Sequence, residues 1–354
     1  MSVTIREAYA EALVRYGAND PRVVVLDADV SGSTRSVVFQ NAASDRFFNV
    51  GIAEANMTAM AAGFAAVGKI PFANAFGVFI TSNGLLSATT FGSYAGLPVK
   101  YVGAYGGLSD SFDGPSHHSI EDIAVMRALP NMKVFVASDS VNTAWLVKHA
   151  IDDPSPMYLR LSREAFPDLY SAEETFECGK GKILREGTDA TVIACGLMTG
   201  HALAAAETLS REGISVRVVD MFTIKPIDRE LILRCAKETG LIVTAEEHNI
   251  IGGLGSAVAE VLCEAGQQAR VGFVGICDCH AECGPYALLQ EKYGLSSAAM
   301  MAYLRTMPYA KVREALIASG GKSRASGTAA PILSNLGPVF QGAMRFGDGV
   351  VTDI

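Results

Sequence analysis

The chain has 354 residues, 49% hydrophobic and 19% charged, with a formal net charge of −8. At roughly 100–200 residues per domain this length fits two domains and a short appendage, and so apolar a chain excludes disorder over its whole length. The acidic balance excludes a general nucleic-acid binder, which needs clustered Lys and Arg, yet leaves room for small anionic substrates.

In chain order, residues 22–27 read as a short, continuously apolar strand and 53–66 as a buried helix rich in Ala. Further strands fall at 99–104, 132–137 and 157–161, with a helix at 143–151 between the last two. Residues 165–174 then carry turn residues and charge without periodicity. A second alternating block follows, with strands at 190–194, 215–220, 241–245 and 271–275 and helices at 201–212, 229–239 and 255–265. Continuous apolar strands separated by helices predict mainly parallel sheets covered on both faces. The fold class expected is therefore α/β, with two doubly wound domains, at 1–170 and 171–319. From about Ser319 the chain turns small and polar, and 320–354 reads as a flexible or partner-docking tail.

The most apolar window, 53–67, begins beside Glu54 and is too short and too rich in Ala and Gly to span a bilayer. The N-terminus has no basic stretch followed by an apolar one, and seven Cys do not form a secreted disulfide pattern. A reducing cytoplasm is the expectation.

Three segments carry chemistry. In Phe47-Phe48-Asn49-Val50-Gly51-Ile52-Ala53-Glu54-Ala55-Asn56-Met57, one carboxylate opens an apolar helix. It is either a helix-start carboxylate favoured by the dipole, or a desolvated acid that can share a proton with a ligand. In Pro71-Phe72-Ala73-Asn74-Ala75-Phe76-Gly77-Val78-Phe79, Phe76 and Phe79 are either core or a wall for a flat heteroaromatic ring. The stretch from Gly106 through Asp113-Gly114-Pro115-Ser116-His117-His118 follows a parallel strand, at the sheet edge where α/β proteins bind ligands.

Together these segments resemble the transketolase family. The Glu54 segment is similar to the cofactor-activating glutamate segment of transketolases and 1-deoxyxylulose-5-phosphate synthase. Asp113-Gly114-Pro115-Ser116-His117 is similar to the transketolase substrate loop, Leu161-Ser162-Arg163 to the end of the same domain, and Leu26-Asp27-Ala28-Asp29 through Ser33 to its opening strand and loop. The segments starting at Asp220 and Glu246 resemble the family's C-terminal domain.

The resemblance implies a thiamine diphosphate enzyme whose first domain, 1–170, binds the aminopyrimidine. Glu54 would share a proton with a pyrimidine nitrogen and so drive the exocyclic amine toward the imino form that deprotonates the thiazolium carbon. Phe76 and Phe79 would flank the ring, and Asp29 would lie near the cofactor. Asp113 and His117 would bind sugar hydroxyls, with His117 also catalytic. Ser33 and Arg163 would face the substrate's far end. Transketolases carry a further phosphate-binding His shortly before the substrate loop; here the region reads Gly103-Ala104-Tyr105-Gly106, so the terminal group is a phosphate held differently or another anion such as a sulfonate.

The family's Mg²⁺ and diphosphate motif, Gly-Asp-Gly with a later Asn, belongs to an N-terminal domain. Gly347-Asp348-Gly349 is followed by only five residues, too few for the rest of that site, and is read as coincidence. The expectation is therefore the C-terminal subunit of a split transketolase. An N-terminal partner subunit would supply diphosphate and Mg²⁺ contacts within a heterotetramer of two copies of each chain, and no metal ligand is expected here. The alternatives are a 1-deoxyxylulose-5-phosphate synthase-like or 2-oxo-acid dehydrogenase β-type subunit, or a non-catalytic regulatory subunit. Cys277, Cys279, His280 and Cys283 are either a zinc site or a loop of reduced thiols. Gly253-Leu254-Gly255 reads as a tight packing turn rather than a nucleotide fingerprint.

Overall fold

The structure, a computed structural model, describes residues 3–165 and 167–307. The segment 320–354 and Gly347-Asp348-Gly349 lie outside the described residues. Two sheets organise the rest. The strands are β1 (Val23–Asp27), β2 (Phe47–Asn49), β3 (Ile70–Phe76), β4 (Lys100–Ala104), β5 (Lys133–Val136), β6 (Met157–Arg160), β7 (Lys182–Arg185), β8 (Ala190–Ala194), β9 (Val216–Asp220), β10 (Thr223–Lys225), β11 (Leu241–Asn249) and β12 (Arg270–Ile276).

The first sheet runs β10-β5-β6-β4-β3-β1-β2 and the second β12-β11-β8-β9-β7. Pairing is parallel except at β10–β5 and β7–β9. Every residue of β1, β3, β4 and β6 is buried, as expected for strands covered by helices on both faces. The helix Glu54–Ala66 packs Met57, Ala61, Ala62 and Ala65 into the core beside β1 and β3. Burying Met57 completely contributes roughly 1.5–3 kcal/mol.

The second block is not independent of the first. β10, which follows β9, crosses over and pairs antiparallel with β5, Thr223 opposite Phe135. A buried polar seam adds to this junction. Asp220 accepts from the Ser138, Thr199 and Tyr170 hydroxyls at 2.8, 3.0 and 2.7 Å. Arg160 Nε lies 2.8 Å from Asp122, and Arg160 Nη2 donates to the carbonyls of Ser119 and Glu247.

The helix Ile5–Gly17 opens the chain, with Ile5, Ala8, Tyr9, Ala12 and Leu13 buried at helical spacing. Thr4 Oγ1 accepts from the Glu7 N–H while Glu7 Oε2 accepts from the Thr4 N–H, a reciprocal cap of about 1 kcal/mol. That cap places Arg6 on the first turn, facing the carboxyl edge of the first sheet. No helix among the described residues is long and apolar enough to cross a membrane.

Candidate functional site

The carboxyl ends of β1, β3, β4 and β6 deliver the candidate residues to one edge. Phe76 is the last residue of β3, and Phe79 lies one turn on, in the helix Gly77–Ser82. Their rings lie 5.9 Å apart at 28°. His117, from the loop after β4, meets both edge-on, at 5.9 Å from Phe76 and 5.2 Å from Phe79. The structure therefore brings Phe76, Phe79 and His117 together.

Glu54 opens its helix and is 6% exposed. Its Oε2 accepts from Asn83 Nδ2 at 3.2 Å, and Asn83 ends the helix that carries Phe79. Oε1 has no protein partner among the described residues. A buried carboxyl with one oxygen free, tied through Asn83 to the helix that carries Phe79, can exchange a hydrogen bond with a ring nitrogen of a bound heteroaromatic group.

Asp29 follows β1 with φ +65° and is exposed, accepting from Asn49 Nδ2 at 2.8 Å. Its neighbour Val30 packs, as Phe79 does, against the cluster of Phe76, Ala104 and Tyr105. Asn49 Oδ1 in turn accepts from the Gly51 N–H at 3.0 Å, shaping the turn that leads to Glu54.

A second group gathers around Tyr105. Arg6 Nη1 donates to the Tyr105 hydroxyl at 2.6 Å and to the Ser33 carbonyl at 3.0 Å. The guanidinium carbons of Arg6 and Arg163 lie 5.4 and 5.3 Å from the Tyr105 ring centre. Tyr105 is 4.6 Å from Phe76, so this cationic group adjoins the aromatic one. Ser33 and Arg163 thus share one neighbourhood, and Arg6, which sequence reasoning missed, joins them. Its only signal was the capping box beside it.

Asp113 is exposed on the loop, next to the buried Asp110. Burial, then the charge of Asp113, pushes the Asp110 carboxyl up to about 6, against the pull of His117 and Arg163. Arg163 Nη1 is 3.5 Å from Asp110 Oδ1.

The loop is held from below. Gly107 and Ser119 exchange backbone hydrogen bonds at 2.8 and 3.0 Å, closing its neck. Glu247, from β11, accepts from the Leu108 N–H at 2.8 Å and from the Tyr286 hydroxyl at 2.9 Å. Burial pushes the Glu247 carboxyl up to about 7, although Arg160, Leu108 and Tyr286 favour its charged form. Gly107, at φ +69°, presses so close that a Cβ there would meet Glu247 Cδ at 2.5 Å. Glu246, its neighbour, accepts from the Leu254 and Gly255 N–H groups, where a helix start favours an anion. A Cβ on Gly253 would fall 2.0 Å from Glu246 Oε2, so the Gly-Leu-Gly run is the expected packing turn.

Among the described residues no group of three or more His, Cys, Asp or Glu side chains is placed to hold a metal ion, Cys277, Cys279, His280 and Cys283 included. Cys283 instead packs against Gly114 of the loop.

Residues 1–168 match the family model "Transketolase, pyrimidine binding domain" and residues 179–300 "Transketolase, C-terminal domain". The chain is 40% identical over 295 residues to a 6-deoxy-6-sulfo-D-fructose transketolase subunit of Clostridium sp. (strain MSTE9), covering 83% of this chain and 91% of that one. It is 36% identical over 294 residues to one subunit of the apulose-4-phosphate transketolase of Phocaeicola vulgatus, covering 83% and 94%. A solved structure described as a split gene transketolase, inactive beta4 tetramer, superposes with a TM-score of 0.78 at 46% identity, covering 86% of this chain and 98% of that one.

Proposed function

The chain belongs to the transketolase family, and from that premise we propose that it is the C-terminal subunit of a split transketolase. It transfers a two-carbon ketol unit from a ketose bearing a phosphate or similar anion to an aldose, in the cytoplasm. An N-terminal partner subunit supplies the diphosphate and Mg²⁺ contacts, and two copies of each chain form a heterotetramer. Residues 1–170 act as the pyrimidine-binding domain and 171–319 as the C-terminal domain.

The observation that carries the reading is the buried Glu54 carboxyl, bound to Asn83 at the end of the helix that carries Phe79 of the Phe76–Phe79 pair. When bound, thiamine diphosphate supplies a thiazolium carbon that serves as nucleophile and electron sink. The protein's part is orientation and proton handling. Glu54 holds a proton at a pyrimidine ring nitrogen through the oxygen that Asn83 leaves free. Phe76 and Phe79 flank the ring, each contact contributing roughly 0.5–1.5 kcal/mol. Asp29 lies near the cofactor through Val30. His117, edge-on to both rings, reaches the reacting sugar hydroxyls as donor or acceptor, and Asp113 accepts from hydroxyls farther out. Ser33, Arg6 and Arg163 face the anionic end, where a guanidinium fork gives paired charge-assisted hydrogen bonds. The naming of two relatives as transketolase subunits supports the partner requirement.

The test is Glu54→Gln in the assembled complex. Assembly should persist while turnover falls at least ~100-fold, the range of a lost acid–base group. Near-normal turnover would refute the role.

A further inference from the structure

Tyr105 stands where the aromatic and cationic groups meet. It follows β4 with φ +60°, a backbone conformation that side chains other than glycine seldom adopt without compensation. What holds it there is its surroundings: the Phe76 ring at 4.6 Å, two guanidiniums over its own ring, and Arg6 Nη1 at 2.6 Å from its hydroxyl. A guanidinium has donors only, so at this contact the phenol oxygen must accept. The phenol proton is then left to give, and no acceptor for it lies among the described residues.

Two cations and a neutral O–H donor thus converge beside Ser33. Arg6 is fixed by Tyr105 and by the Ser33 carbonyl, whereas Arg163 has the Asp110 carboxylate 3.5 Å away as its charged partner. Asp110 offsets part of the positive charge, so selection for a particular end group cannot rest on net charge alone. A directed hydroxyl donor, with its acceptor side already taken by Arg6, adds geometric selection.

We propose that Tyr105 is a specificity-determining residue, whose hydroxyl donates to a tetrahedral oxyanion at the far end of the substrate. This rests on the transketolase reading above. Phosphate and sulfonate ends share the required chemistry, three acceptor oxygens on a tetrahedral centre.

The experiment is Tyr105→Phe in the complex reconstituted with its partner subunit. Three ketoses of equal length would be compared, ending in a phosphate, a sulfonate and a plain hydroxyl. The variant should lose roughly 10- to 100-fold in kcat/KM, through KM, on the anionic ketose that is the natural class. Co-elution of the variant with its partner subunit shows that it assembles, and its loss on the neutral ketose should be clearly smaller than on the natural anion. The anion that suffers the larger loss identifies the end group. Equal losses on neutral and anionic ketoses, or no loss on either anion, would overturn the proposal while leaving the transketolase reading intact. Failure of the wild-type complex to use any ketose would overturn both.

Discussion

Replacing Glu247 with Gln should change how the chain's stability depends on pH. In the folded state burial lifts this carboxyl from an ordinary 4.5 to about 7. Between those values the unfolded chain has given up a proton that the folded chain keeps. Stability is therefore fully present below about pH 4.5 and falls as pH rises toward 7. At ~1.4 kcal/mol per pH unit the full effect is about 3 kcal/mol, net of Arg160 and the two hydrogen-bond donors that favour the charged form. Glutamine is close in shape and can still accept from the Leu108 N–H, but it does not titrate. Its amide faces the Tyr286 hydroxyl, which already receives Gln290 Nε2 at 3.0 Å, so at pH 5 the variant should be less stable by about 1 kcal/mol. By pH 8 that deficit should vanish or reverse. Urea unfolding of both proteins at several pH values measures the difference. Two curves that stay parallel from pH 5 to 8 would refute the reasoning.

The same junction makes a sharper demand on Arg160. Arg160→Met would leave Asp122 charged, buried and without its 2.8 Å partner, costing about 3–5 kcal/mol, and the urea midpoint should drop accordingly. A cost below about 1 kcal/mol would show that the pair is not structural. Gly253→Ala would push a Cβ onto Glu246 Oε2 and loosen its grip on the helix Leu254–Glu264, at about 1–3 kcal/mol by thermal or chemical unfolding; an unchanged midpoint would mean that the turn gives way freely.

Each chemical segment could be read from sequence because it is contiguous: the Glu54 helix start, the Phe76–Phe79 pair and the Asp113–His117 loop all lie on single stretches. The continuously apolar strands were legible for the same reason, since a strand buried on both faces needs no alternation. Legibility failed where tertiary structure does the joining. Arg6 is 99 residues from Tyr105, and only the sheet brings them together. β3 was hidden by Pro71, which argues against a central strand, and by Asn74. Asn74 is tolerated there because its amide donates to the Leu26 and Phe72 carbonyls and its oxygen accepts from Tyr9. β10 is three residues long, too short to show a period, and its crossing into the first sheet has no local signal. The grip of Glu247 on the loop was equally silent, because an acid in a strand looks the same whether it faces water or another domain's backbone.

If this chain carries half of an active site, neither it nor its partner can transfer a ketol unit alone. Ketol transfer should therefore be assayed, with thiamine diphosphate and Mg²⁺ present, for the purified chain, for a partner carrying the Gly-Asp-Gly and later Asn, and for their mixture. Turnover is expected in the mixture alone, lost again with Glu54→Gln; turnover by this chain without a partner would refute the split site.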